Sequence, residues 1–287
     1  MLAVLVGLAG ALVYGAADFV GGLASRRISA VRVTALGGLS GVLAVAIALP
    51  VLGGAWSVEA VGLGALAGLA GSVAIALLYG CLALGPMSIL SPLTAVVSAI
   101  VPLTAGLLRG ERFPPIGYLA LGLALVAVVL VGFVPDRRAV RPSLRALLMA
   151  VGSGTLIGVF LIVIDLTPDD SGLVPVAAGL TVKTLLLFAV VGLLAVVARA
   201  RGVSPTPGRW RPGLSLAIGS GVLDAAANVI LLLGLRLGDL SVQSVLTALY
   251  PAGTIILAAV VLKERVTTTQ YLGLGLALTA AALLALA

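Results

Sequence analysis

LALGPMSILSPLTAVV at residues 82–97 recurs as LRLGDLSVQSVLTALY at residues 235–250. In this register Gly85 falls on Gly238, Ser88 on Ser241, Ser91 on Ser244, and Leu93-Thr94-Ala95 on Leu246-Thr247-Ala248. The match continues unbroken: Glu111-Arg112 falls on Glu264-Arg265, Tyr118-Leu119 on Tyr271-Leu272, and Gly122-Leu123-Ala124-Leu125 on Gly275-Leu276-Ala277-Leu278. Chance can match the apolar letters of an Ala/Leu/Gly-rich chain. It rarely holds an acidic-basic pair, a tyrosine and several hydroxyl residues in one register. A long-period repeat decides the architecture before any local feature does. In a membrane protein it points to a transport fold built from related halves.

The chain has 287 residues, 61% hydrophobic and 9% charged, with mean hydropathy +1.29. Soluble domains average about 25% charged residues, so this is a polytopic membrane protein. A bilayer core of about 30 Å needs roughly 20 apolar residues per helix. On that ruler the spans fall near 2–24, 31–52, 60–84, 87–108, 115–134, 144–166, 173–198, 214–235, 240–262 and 267–286. The expected fold is all-α, with ten transmembrane helices. The runs are too long for barrel strands of about 9–11 residues. Only Gly85-Pro86 separates spans three and four, and only Gly238-Asp239 separates eight and nine, so both pairs are tight hairpins. The N-terminus opens apolar with no basic leader, which reads as a retained helix.

Half one is then 1–134, half two 144–287, five helices each, with the basic linker 135–143 between them. An odd offset of five helices makes the halves enter the membrane from opposite sides, so the repeat is inverted. One set of alternate loops carries Arg26, Arg27, Arg32, Arg137, Arg138, Arg141, Arg145, Arg199, Arg201, Arg209, Arg211, Lys263 and Arg265. The other carries Arg109, Arg112 and Arg236. The positive-inside rule places the first set in the cytoplasm and both termini outside. The acidic loop Thr167–Gly172 falls outside too. The net charge of +7 is thus a matter of membrane orientation, not of nucleic-acid binding.

Chemistry is restricted by what is missing. Cys81 is the one cysteine and there is no histidine, so zinc patterns and imidazole proton transfer are excluded. No Walker loop is present, which speaks against ATP hydrolysis. No cofactor or metal site is expected. Polar groups at membrane depth are costly, and each needs a partner or a task. Asp224 lies halfway along the eighth span with Asn228 one turn later. Their counterparts in the third span are Ala70 and Ala74, so this pair breaks the internal symmetry, as a substrate or proton site would. A buried structural acid is the alternative. Lys183 lies deep in the seventh span, at a depth similar to Asp224, and an ion pair between them is either structural or a gate. Asp18, with Tyr14 one turn away, either pairs with Arg26 or Arg27 or carries a proton. Tyr79, Ser91, Gln243 and Tyr250 are polar groups on spans three, four and nine, which should line the interface of the halves. Tyrosines near helix ends also serve as interfacial anchors. Glu111 and Glu264 each close a helix beside a basic residue, the mark of a surface ion pair capping a helix end. Pro92, Pro102 and Pro251 interrupt spans four and nine and are candidate hinges. Gly37/Gly41, Gly64/Gly68 and Gly154/Gly158 have the spacing of close helix packing.

Together these features resemble the drug/metabolite transporter superfamily, in its ten-helix EamA-type branch. The resemblance is carried by Pro251 to Arg265 followed by Gln270-Tyr271-Leu272-Gly273, and in half one by Glu111-Arg112 and Tyr118 to Gly122. In half one the register position of Pro251 is Ser98, and Pro102 follows one turn later. The resemblance implies a secondary carrier in the bacterial inner membrane, moving amino acids, related metabolites or drugs outward by alternating access. Its partners would be a small-molecule substrate, the lipid bilayer and, if coupled, protons. With both halves in one chain a monomer suffices. Two rivals stand beside this reading: a flippase for a lipid-linked substrate, and an integral membrane enzyme, for which only Asp169-Asp170 comes near a convergent carboxylate cluster.

Overall fold

A computed structural model describes residues 1–28, 30–84, 87–132, 142–200, 213–263 and 265–287, excepting the side chains of residues 30, 31, 79, 82, 83, 87, 88, 194 and 195. These residues form α1 (Leu2–Ser25), α2 (Ala30–Leu52), α3 (Val58–Leu84), α4 (Met87–Leu108), α5 (Pro115–Gly132) and α6 (Leu144–Asp165). After a 3-10 turn at Asp169–Ser171 come α7 (Val174–Ala200), α8 (Leu214–Leu237), α9 (Leu240–Thr247), α10 (Tyr250–Val261) and α11 (Thr268–Leu286). With α9 and α10 taken as one span, ten helices among the described residues are long and apolar enough to cross a membrane. An apolar solvent leaves backbone amides no partner except within the helix, which is why sequences this apolar fold this way. Side chains finish the ends. Ser143 caps α6 through the Ala146 amide, Ser57 receives the Ala60 amide at the start of α3, and Thr267 with Gln270 forms a reciprocal capping box on α11.

The helix pairings recur with partners exchanged. α1 packs on α8 as α6 packs on α3, and α2 on α8 as α7 on α3. α1 meets α9 and α10 as α6 meets α4, while α5 lies against α11. The pattern is consistent with the two-fold relation expected of an inverted repeat. One buried cluster joins α1, α4, α5, α9 and α11 through residues such as Ala99, Ala124, Val128, Leu246 and Ala280. A second joins α2, α3, α6, α7 and α8 through Val45, Ala67, Leu161, Leu180 and Leu231. Leu185, Phe188, Leu193 and Val196 of α7 point outward, where a bilayer would cover them.

The spaced glycines lie at helix contacts. Gly37 and Gly41 meet Gly221 across α2 and α8, and Gly64 and Gly68 meet Pro175 and Gly179 across α3 and α7. Gly154 and Gly158 meet Thr94, Val97, Val101 and Pro102 across α6 and α4. Backbone meets backbone at the first two seams, so a side chain there would hold the helices apart.

The prolines divide into two kinds. Span nine is broken at Ala248–Leu249, and Pro251 opens α10, where a missing N–H is tolerated. Span four, expected to be interrupted, is not: α4 runs from Met87 to Leu108 with Pro92 and Pro102 inside it. Each proline removes only one backbone donor, and α6 packs along that stretch. There the Thr94 hydroxyl binds both Leu90 O (3.0 Å) and Ala150 O (3.2 Å), tying α4 to α6.

Candidate functional site

A cavity of about 250 Å³ lies between α1, α3, α6, α7, α8 and the break in span nine. One part of its wall is polar: Tyr14, Asp18, Lys183, Asp224, Asn228, Thr247 and Tyr250. The rest is apolar, with Ile75, Leu78, Phe160 and Leu180 prominent. Local structure sets each polar group. Asp224 and Asn228 stand one turn apart on α8, and the Asn228 amide donates to the Asp224 backbone carbonyl over 2.7 Å. Gly179, one turn before Lys183, lets α7 lie against α3 at Gly68. Gly221, just before Asp224, lets α2 lie against α8. The small residues therefore fix the depth and spacing of the charged ones.

Lys183 Nζ donates to Asp224 Oδ2 over 3.0 Å, with the two side chains 27% and 31% exposed. The expected ion pair is formed, and it faces a space that water or a ligand can fill. Asp18 lies within electrostatic reach of both Asp224 and Lys183, and Tyr14 within reach of both carboxylates. Asp18 thus faces the cavity, about 12 Å along α1 from the Arg26 end. Of the two readings of Asp18, this placing favours the cavity-facing one over pairing with Arg26 or Arg27.

Six of the nine polar candidates therefore converge: Tyr14, Asp18, Lys183, Asp224, Asn228 and Tyr250. Ser91 is half-buried on α4 and does not line the cavity. The Tyr79 side chain and Glu264 lie outside the described residues. Gln243 lies at the interface of the halves, as expected, but away from the cavity. It is fully buried, its amide donates to Ala3 O over 2.9 Å, and it sits against Gly7 and Gly234. In an unbroken helix Gln243 and Tyr250, two turns apart, share a face. The break after Thr247 lifts that constraint, and α9 is buried on nearly every side, so Gln243 ties α9 to α1 instead.

Two kinds of wall residue were not anticipated. Phe160, Ile75 and Leu180 carry no polar signal that marks them in a chain this apolar. Thr247 did carry one, since it lies four residues before Pro251, which has no N–H to return to the Thr247 carbonyl. A helix broken at a cavity is a common feature of carrier binding sites.

Residues 144–286 match the model of the EamA-like transporter family. A crystal structure aligns with 100% of this chain and 99% of its own, with a TM-score of 0.73 at 18% sequence identity, and shares the fold. No curated protein matches the chain. The family match, in a chain with ten helices apolar enough to cross a membrane, places it: the chain belongs to the EamA-like transporter family of the drug/metabolite transporter superfamily, a multi-pass membrane transporter of small molecules.

Proposed function

We propose that this chain is a secondary carrier of the cell membrane, exporting a small amphipathic metabolite that bears an amino group, of which an amino acid with an apolar side chain is the simplest case. The observation that carries the reading is the composition of the cavity wall. Among its described residues, two carboxylates, Asp18 and Asp224, face one ammonium, Lys183. In a site walled by low-dielectric protein an unmatched unit charge is costly. A substrate ammonium, or a proton, supplies the match. A substrate carboxylate can share Lys183 with Asp224, and the surface of Phe160, Ile75, Leu78 and Leu180 takes an apolar body. Drug-sized ligands occupy pockets of about 300–1,000 Å³, and about 250 Å³ suits something smaller.

The same inventory favours a carrier of metabolites over a flippase, because a phosphate entering this cavity meets two carboxylates. Halves 1–134 and 144–287 would rock about the cavity, with the broken span nine as the flexible element beside it. Asp18 and Asp224 are the candidates for proton coupling. The family resemblance supports an outward direction, and the positive-inside rule supports a cytoplasmic placing of the basic loops.

Counterflow in proteoliposomes tests this. Vesicles loaded with a pool of apolar amino acids and their decarboxylated amines should take up radiolabelled members of that pool. Asp18→Asn protein of unchanged elution profile should lose that uptake. Counterflow of a short-chain lipid phosphate, with none of any amine-bearing solute, would overturn the reading.

A further inference from the structure

Ten crossings bring both ends of the chain to one face, and on that face the connections carry a polar seam absent from the cavity below. At the end of α4, Arg109 Nη1 donates to Asp165 Oδ2 at the end of α6 over 2.8 Å. Two residues on, the Glu111 carboxylate receives the first two amides of α9, Leu240 N at Oε1 (2.9 Å) and Ser241 N at Oε2 (3.1 Å). The Ser241 hydroxyl returns to Leu103 O of α4 over 3.1 Å. Gly106 makes the approach possible, since a Cβ there would collide with both the Glu111 carboxylate and the Ser241 hydroxyl. Arg112 steadies the loop by donating to Leu107 O and Glu111 O. Glu111 was expected to pair with its basic neighbour; it instead caps a helix from the other half of the chain that packs beside α4.

These contacts sit over the cavity. Ile164 lines it and precedes Asp165, and Thr247 lines it two turns along from the amides that Glu111 holds. An exposed ion pair contributes little on its own, and Arg109 is 39% exposed. The half-buried Glu111 carries more, because an ionised carboxylate on two amides makes charge-assisted bonds at the positive end of a helix. In the repeat register Arg109 falls on Leu262, beside Lys263.

We infer that Glu111, aided by Arg109, is a latch that holds the cavity shut on the face bearing the termini, and that its release from α9 opens that face. The inference rests on the alternating-access reading above.

Distances across the face test it without reference to any substrate. Spin labels at Leu119→Cys on α5 and Leu237→Cys on α8, in Cys81→Ala protein in nanodiscs, report closure by double electron–electron resonance. The parent should give one short distance. Glu111→Gln and Arg109→Asp should each add a longer one, with the open-to-shut ratio raised about tenfold for Glu111→Gln, equivalent to about 1.4 kcal/mol. Arg109→Asp combined with Asp165→Arg should restore the parental distribution, which separates a latch from a misfolded loop. Unchanged distances in both single variants would overturn the latch. A shift in a protein that moves no solute would support the latch and count against the carrier reading alone.

Discussion

Lys183 Nζ meets Asp224 Oδ2 at 3.0 Å, joining the middle of α7 to the middle of α8 inside a cavity otherwise largely apolar. α7 and α8 have few other contacts with each other, each packing instead on α2 and α3 or on α1 and α2. The pair is therefore a direct link across the cavity between two helices that share α2 but otherwise lean on different neighbours, α3 and α1.

Removing one partner of a buried ion pair costs about 3–5 kcal/mol, and exposed pairs contribute about 0–1 kcal/mol. At 27% and 31% exposure this pair falls between them. Lys183→Ala should destabilise by about 1–2 kcal/mol. Lys183→Ala with Asp224→Ala should be more stable than Lys183→Ala alone, since the second change removes the stranded carboxylate beside Asp18. Thermal melts of the four proteins of this double-mutant cycle check it. A double variant that simply sums the two single losses would show that the contact does not couple.

Phe160 forms part of the apolar wall and stands beside Gly71 of α3. Phe160→Ala should enlarge the cavity toward bulkier solutes. A change of one methylene in an apolar pocket is worth about 1–3 kcal/mol, so preference for a larger over a smaller apolar side chain should shift by about tenfold or more. Competition in the counterflow assay measures the ratio. An unaltered ratio would place the substrate's apolar part elsewhere.

Gly68 and Gly122 offer a matched contrast. A Cβ at Gly68 would enter the Gly179 backbone of α7, while one at Gly122 meets nothing within 4 Å. Gly68→Ala should destabilise by about 1–3 kcal/mol through overpacking, and it should disturb the placing of Lys183. Gly122→Ala should leave stability unchanged or slightly raised, since alanine is the better helix former. Detergent melts of both proteins decide it, and equal effects at the two positions would contradict the packing described.

The sequence by itself determined the ten spans, the repeat and the residues expensive enough at membrane depth to need a reason. Helices form wherever a run is apolar and long enough, because hydrocarbon leaves the backbone no other partner, and that condition is readable one segment at a time. The observed ends accordingly fall within about two residues of the expected ones wherever they are described. Asp18, Lys183 and Asp224 stood out for the same local reason. Only the tertiary structure decided which polar groups meet. Gln243 and Tyr250 look alike in the sequence, yet the break at Ala248–Leu249 sends one to a buried contact with α1 and leaves the other at the cavity. Pro92 and Pro102 read as interruptions, yet packing along α6 keeps α4 whole. Glu111 read as half of a neighbouring ion pair, yet its partners are amides at Leu240 and Ser241, far along the chain. Partner choice across helices depends on their relative rotation and depth, which glycine seams such as Gly68 against Gly179 set in space and which no single segment encodes.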